Sequence, residues 1–510
     1  MAGEETELKL SATPRTLARL AADPLLGGPR GAPQTLVAIY FDTPRHALWR
    51  HGITLRLRKE RGRWVQTVKA RGALEAGLHR RLEHTQRASS AMPDLALIRD
   101  SDLAKQVAQA IRGVPLVSIF RVEVTRETRL VSPEPGVTIE VSFDRGTILA
   151  GKSRAPVCEL EFELKQGPAW RLFELALAVA ARHAVRLEHR SKAERGYELA
   201  GAVQAAPVHA RLGVIGRGMS ASAAFKAVCL TCLNHLQANQ RGAMRGTDPE
   251  YLHQARVALR RLQSGLGAFK SLAPGGMIEP HAQSVRDFIH ALGPARDWDV
   301  FVEETLAPVL QQFPGHAGLA AIERACARLR GEAKRSARRL FASRRTQRLL
   351  LGLGGWLAQE PWLAAEADEM GAAWRADVRE HATQVLDRYE RRALKRGGKL
   401  DSSSLRRLHR LRIATKKLRY AAGFFSPLFA RQRAAAMLEA LNELQNVLGE
   451  INDRATAPAL IQDAMRVARG PLRAQARIIV SHWNSAMLEE RRRELARAWK
   501  AFQRAERFWR

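Results

Sequence analysis

Over the first two hundred residues, apolar and polar positions alternate in short runs. "ELKL", "LVAIYFDT", "GITLRLRKE", "RWVQTVKA", "HRRLEHT", "SIFRVEVTRETRLV", "VTIEVSFDRGTILA" and "CELEFELK" follow one another in that order. A period of two puts every second side chain on one face, and Gly or Pro punctuates several of the gaps. The pattern predicts a meander of antiparallel strands. "AWRLFELALAVAARH" then shifts to helical spacing, and residues 201–217, "GAVQAAPVHARLGVIGR", lose periodicity and read as a linker. From about Ala221 onward the chain is rich in Ala, Leu and Arg with a 3.6 period, which predicts long amphipathic helices.

The helical part repeats itself. "LHQARVALRRLQSGLGAF" from Leu252 and "LHRLRIATKKLRYAAGFF" from Leu408 align His253 with His409, Arg256 with Arg412, Arg260 with Lys416 and Arg261 with Lys417. "LGPARD" (Leu292–Asp297) and "LGEIND" (Leu448–Asp453) align at the same offset of 156 residues. Two motifs at one offset predict two copies of one helical bundle.

Composition changes the picture through charge. The 510 residues suit two to four domains, and 83 Lys and Arg against 51 Asp and Glu leave a formal net charge of +32. Residues 1–205 carry 32 basic and 23 acidic side chains, net +9, so the helical part holds the remaining +23. An excess of this size points to a polyanionic partner and says nothing of fold. Four cysteines, Cys158, Cys229, Cys232 and Cys326, make no disulfide framework in a chain this long, and a reducing cytoplasm is the expectation. No signal peptide and no membrane span are expected.

The strand faces carry the first candidate chemistry. Glu5, Glu7 and Lys9 share a face, as do Arg56 and Arg58, Thr67 and Lys69, Arg81 and Glu83, and Glu140, Ser142 and Asp144. Glu159, Glu161, Glu163 and Lys165 share another. A solvated sheet face also alternates charge. Six or more such strands would instead close into a barrel with a charged interior, which needs an occupant because buried unpaired charge is costly. A phosphate chain with a hard divalent metal fits that interior.

"EETELKL" resembles the E-x-E-x-K signature of the CYTH domain, of the triphosphate tunnel metalloenzyme superfamily. The likeness runs on through "YFDTP", "GITLRLR", "QTVKARG", "FDRGTI", "CELEFELK" and "SKAERGY", over about residues 3–200. It implies an eight-stranded antiparallel tunnel over residues 1–202. It further implies that Glu5, Glu7 and Lys9 are catalytic and that Glu5 and Glu7 bind Mg²⁺ or Mn²⁺ with carboxylates such as Glu159 and Glu161. Lys9, Arg56, Arg58, Lys69, Arg81, Arg121 and Lys192 would hold the triphosphate. Which of Glu159, Glu161 and Glu163 face inward depends on register, since a one-residue slip flips the whole set.

On a helical wheel with His253 at 0°, Arg256, Arg260 and Arg261 fall away from the arc of roughly 180–260° that holds Leu252, Ala255, Leu259, Leu262 and Leu266. His409, Arg412, Lys416 and Lys417 repeat the arrangement. One such stripe is ordinarily a solvated basic face. Two, related by a pseudo-two-fold, can face each other and form one basic channel, with histidines able to bond phosphate.

"LHQARVALRRL", "LGPARDWDVF", "LHRLRIATKKLRY" and "LGEINDR" resemble the two halves of the CHAD domain over residues 218–505, after a linker at 203–217. That resemblance implies an all-α domain of two pseudo-symmetric four-helix bundles, so that the whole chain is α+β. It also implies that His253, Arg256, Arg260, Arg261, His409, Arg412, Lys416 and Lys417 bind polyphosphate. Asp297 and Asp453 are expected to cap helices or orient the arginines. Cys229 and Cys232 sit in an apolar helical run without a second ligand pair, and are expected as buried thiols. The basic C-terminal stretch "ERRRELARAWKAFQRAERFWR" closes a bundle or lies on a membrane surface.

The function expected is metal-dependent hydrolysis of inorganic triphosphate or a related short phosphate chain, with polyphosphate bound by the helical part. The alternative is a non-enzymatic polyphosphate-binding protein targeted to granules. Nucleic-acid binding rests on net charge alone, since aromatic residues are only 6% and no recognition motif accompanies them.

Overall fold

The computed structural model describes residues 2–510 except 61, 71, 212–213, 274–275, 365–368, 399 and 401–403. The chain divides into two compact units: residues 1–207 with 342–360, and residues 208–341 with 361–510.

In the first unit ten strands form one antiparallel sheet. They are β1 (Ala2–Ser11), β2 (Gln34–Asp42), β3 (Ile53–Glu60), β4 (Arg63–Ala70), β5 (Ala73–Glu75), β6 (Leu78–Ala88), β7 (Val117–Val131), β8 (Thr138–Ala150), β9 (Ser153–Gln166) and β10 (Arg186–Leu187). The order β1-β9-β8-β7-β2-β3-β4-β6 closes into an eight-stranded barrel because β6 also pairs with β1. Closure leaves no barrel edge for another chain to pair with. The eight runs expected from alternation are these eight strands.

Five helices dress the barrel: α1 (Pro14–Ala21), α2 (Ala47–Arg50), α3 (Ser101–Ile111), α4 (Trp170–Arg182) and α5 (Lys192–Leu199). On one outer flank Leu55, Leu57 and Val68 pack with Leu103, Val107 and Ile111 of α3. On another, β1 and β9 lie beneath α4, with Leu8, Leu10, Leu160 and Phe162 fully buried. Apolar side chains therefore point outward into helices, which leaves the alternate positions to face inward.

The second unit holds α6 (Ala221–Arg245), α7 (Glu250–Phe269), α8 (Glu279–Ala291), α9 (Gly293–Val300), α10 (Ala307–Gln312) and α11 (Ala317–Ala342). After α12 (Arg344–Gln359) it continues with α13 (Glu369–Arg375), α14 (Val378–Gly397), α15 (Leu405–Phe425), α16 (Arg431–Val467) and α17 (Arg473–Arg504). Helix α6 pairs with α7, α14 with α15 and α16 with α17, and α7 meets α15. A wide π-turn over Phe301–Leu306 joins α9 to α10. Pro308 has no N–H to give, and the Glu304 carbonyl four residues earlier accepts instead from Arg454 Nη2 at 2.8 Å.

Helix α12 belongs to the first unit, where it packs on α4. Gly354 makes this possible, since a Cβ there would lie 2.4 Å from the Phe173 ring. Cys229 and Cys232 are buried free thiols, as expected. Helix α17 closes against α16, with Trp499 and Phe502 buried. No described helix is long and apolar enough to cross a membrane.

Candidate functional site

The register places one ring of charged side chains inside the barrel. Glu5 lies opposite Arg81 and Glu7 opposite His79 on β6, while Lys9 lies opposite Glu161 on β9. Arg56 lies opposite Thr67, and Lys69 opposite Glu83. Around the remaining wall, Arg126 faces Asp144, which faces Glu159. Helix α5 completes the ring. Ser191 Oγ accepts from Glu194 N and Ser191 N donates to Glu194 Oε2, a capping box that fixes where the helix begins. Lys192, its first residue, then reaches Asp144 at 2.6 Å, Glu159 at 2.5 Å and Glu161 at 3.0 Å. Further along α5, Tyr197 donates to Asp42 at 2.9 Å, and Gly196 lets the helix lie on Phe120.

Almost every cation in the ring is paired. Lys9 bridges Glu7 and Glu161, Lys69 bridges Glu5 and Glu83, and Arg126 grips Asp144 and Glu161. Arg56 sits 3.6 Å from Glu83, Arg58 pairs with Glu60, and Arg81 lies 3.6 Å from Glu194. These pairs decide the titration. Burial alone would raise the Glu7 carboxyl, but Lys9 beside it holds it at about 2. Glu161 is likewise driven well down against burial by Lys192, Lys9 and Arg126. Burial would lower Lys9, yet Glu161 and Glu7 push it up. Glu5 moves the other way: burial and Glu7 raise its carboxyl in spite of Lys69. Burial, Arg81 and Lys9 push the His79 imidazole down to about 3, so it is neutral.

Asp144, Glu159 and Glu161 offer carboxylate oxygens that all lie within 4.8 Å of one another. Hard oxygens gathered this closely suit Mg²⁺ or Mn²⁺. Of the four carboxylates expected to hold metal, Glu159 and Glu161 stand in this trio. Glu7 is linked to it through Lys9, and Glu5 stands apart on Lys69.

Glu5, Glu7, Lys9, Arg56, Arg58, Lys69, Arg81, Glu159, Glu161 and Lys192 are all brought to the barrel interior. Arg121 is not. It is half exposed on the other face of β7 and pairs with Glu123 at 2.7 Å. The cation that β7 sends inward is Arg126. The even positions Phe120, Val122 and Val124 also turn inward, into an apolar cluster with Ala193 and Tyr197 of α5. Apolar residues on the inward face disguised its parity. Asp144 was the other omission, although it already shared a face with Glu140 and Ser142.

In the second unit the two stripes meet on α7 and α15. Burial and then Arg260, Arg412, Arg419 and Arg256 push the Lys416 ammonium down to about 6. Arg412 is lowered by burial and by Arg260, against Asp453 and Asp297. The Asp297 carboxyl is raised by burial and Asp453, against Arg256 and Arg260. Both aspartates therefore lie among the arginines, consistent with an orienting role. His253 is lowered by burial and by Arg296 and Arg260. His409 Nδ1 donates to Asn452 Oδ1, 2.7 Å away, beside a hollow of about 210 Å³ lined by Leu405, Leu408, Leu448 and Ile451.

Three members of the expected polyphosphate set depart from it. Arg256 is buried and donates to the carbonyls of Leu292 and, at 3.2 Å, Gly293, where Pro294 follows the break between α8 and α9. The repeat has Glu450 in place of Pro294, α16 runs straight through, and Arg412 stays in the stripe. Arg261 is buried, stacks on Phe424 and donates to the Arg211 carbonyl at 2.9 Å. Lys417 lies on another flank, lowered by burial and by Arg392, Arg286 and Lys270.

Comparison with known proteins adds independent findings. The CYTH domain family matches residues 3–197 and the CHAD domain family matches residues 227–462. The inorganic triphosphatase of Haemophilus influenzae is 33% identical over 161 residues, which make up 31% of this chain and 44% of that protein. The match thus spans less than half the length of that curated relative. A crystal structure of the CHAD domain from the plant Ricinus communis aligns at 29% identity with a TM-score of 0.52, covering 59% of this chain and 98% of its own.

Proposed function

The chain carries a CYTH domain over residues 3–197 and a CHAD domain over residues 227–462, and from that premise we propose a two-part phosphate-chain protein. Its barrel hydrolyses inorganic triphosphate or a related short phosphate chain with Mg²⁺ or Mn²⁺. Its helical unit binds inorganic polyphosphate. The observation that carries the first reading is the trio Asp144, Glu159 and Glu161, set against a ring of cations inside a closed barrel.

The trio would hold the divalent metal, with Glu7 beside it, and the metal would supply positive charge at the reacting phosphate. The chain's own side chains supply the rest. Breaking a phosphoanhydride loads negative charge onto the leaving phosphate, and Lys9, Arg56, Lys69 and Arg126 are fixed cations around it. Lys192 has three donors, so it can reach a phosphate oxygen while keeping a carboxylate. Arg56 Nε is buried with no acceptor among the described residues, which suits an anion that completes the site. In the helical unit, Arg260, Arg412 and Lys416 form the shared cationic surface, with His253 and His409 at its margin.

Phosphate release by the full chain, measured on tripolyphosphate, thiamine triphosphate and ATP with each metal, tests the barrel reading. Turnover of tripolyphosphate that vanishes with a chelator is expected. No turnover on any of the three would leave the non-enzymatic polyphosphate-binding alternative. The helical reading is tested by binding of long-chain polyphosphate in the presence of excess duplex DNA, which should compete poorly per unit charge.

A further inference from the structure

His79 is the one imidazole on the inward face of β6, directly opposite Glu7 and two residues from Arg81. It is 2% exposed. Arg81 Nη2 lies 2.6 Å from its Nδ1. A guanidinium has donors only, so Nδ1 must be the acceptor and the ring proton must sit on Nε2. That Nε2–H is buried and has no hydrogen-bond partner among the described residues. An unmade buried donor is expensive to keep, and in native structures it calls for an explanation. The same ring stands among Lys9, Arg81 and Glu7, inside the cationic wall.

We propose that His79 is a substrate-positioning residue of the barrel, whose Nε2–H donates to a non-bridging phosphate oxygen while Nδ1 holds Arg81 in place. The proposal rests on the barrel reading above. The lysines and arginines of the ring named above already share their charge with a carboxylate, and His79 is neutral. A neutral N–H contributes direction without adding charge, so it fixes where along the barrel a phosphate group stops. Its contribution should therefore be insensitive to salt.

Two substitutions separate the two ring nitrogens. His79→Gln places an amide N–H near the position of Nε2, whereas His79→Asn places an amide oxygen near Nδ1 and has nothing at Nε2. With the full chain and tripolyphosphate, kcat/KM should fall about tenfold or more in His79→Asn. It should stay within about threefold of wild type in His79→Gln, with an unchanged melting temperature in both. Full activity in His79→Asn with loss in His79→Gln would reduce His79 to a prop for Arg81 and overturn the proposal. Equal loss in both, or no loss in either, would overturn it too. Failure of the barrel reading is seen separately. Imidazole ¹⁵N spectra of the metal-free chain, with His79 assigned by its absence in His79→Gln, should show the Nε2–H form and a shift when tripolyphosphate is added. An unmoved His79 signal overturns the proposal whether or not the chain turns over.

Discussion

Lys9 in the barrel and Lys416 in the helical unit are both lysines withdrawn from water, with opposite outcomes. Burial should lower both. In the barrel Glu161 and Glu7 reverse the effect and leave Lys9 more strongly protonated than a free lysine. In the helical unit Arg260, Arg412 and Arg419 reinforce it and bring Lys416 down to about 6. Among the described residues no carboxylate pairs with Arg260, Arg412 or Lys416 within 4.0 Å, whereas the barrel lysines each have two or three. The barrel neutralises itself and must exchange partners to admit an anion. The helical surface is held together against its own repulsion and is relieved by one. Binding should accordingly depend weakly on salt in the barrel and steeply in the helical unit.

The largest break in that comparison comes from removing a barrel anion. Glu161 touches Lys9, Lys192 and Arg126 at once. Glu161→Gln should lower turnover of tripolyphosphate by about two to three orders of magnitude, because metal affinity and the placement of three cations are lost together. It should also lower the melting temperature, since buried cations lose a counter-charge. Polyphosphate binding by the same protein should not change. A loss of polyphosphate affinity equal to the loss of turnover would merge the two sites and defeat the comparison.

Next in size is the converse change. Arg260→Glu with Arg412→Glu should weaken polyphosphate binding by about a hundredfold at low salt and flatten its salt dependence, with phosphate release intact. Arg256→Ala sharpens the contrast, because its guanidinium serves the Leu292 and Gly293 carbonyls. Its main effect should be a fall in thermal stability of about 1–3 kcal/mol, with the salt slope kept. If Arg256→Ala changed binding as Arg260→Ala does and left stability alone, the buried arginine would belong to the binding surface after all.

These positions also show what sequence could disclose. The Glu5, Glu7 and Lys9 face was legible because Leu8 and Leu10 opposite are uniformly apolar, so parity was unambiguous. Strand β7 was not, because charge occupies both of its faces and its inward positions begin as Phe120, Val122 and Val124. The resemblance implies Arg121, whereas the inward cation of this strand is Arg126. On α7 the wheel sets Arg256 and Arg261 apart from the leucines, yet both are buried. It carried no information on what packs there, and the break at Pro294 and the Phe424 ring each capture one of them. The return of α12 to the barrel unit left no mark at all, since its 3.6 period matches that of its neighbours. Gly354 and Gly355 admit Phe173 there, but a glycine pair in a helix does not say which ring it receives.

The finest test of the comparison is protonic. With Lys416 at about 6 in the folded chain and near 10.5 when unfolded, the unfolded chain holds a proton that the folded chain lacks between those values. The contribution of Lys416 to stability thus rises with pH across that window and is flat below about pH 6. The groups facing it are Arg256 and Arg260 from α7 and Arg412 and Arg419 from its own helix, all cationic. A bound phosphate chain opposes all four and restores the proton. Binding at pH 7.5 should therefore take up protons, and affinity should grow a few-fold as pH falls toward 6. Calorimetry in two buffers of different ionisation enthalpy measures the uptake directly. His253, itself held down by burial and by Arg296, Arg260 and Arg256, contributes to the same uptake, so the informative quantity is a difference. Lys416→Met should remove most of one proton from the total while costing little affinity at pH 8, where the lysine is already largely neutral. Unchanged uptake in Lys416→Met would mean that the lysine keeps its charge without a ligand. The helical surface would then be no more frustrated than the barrel.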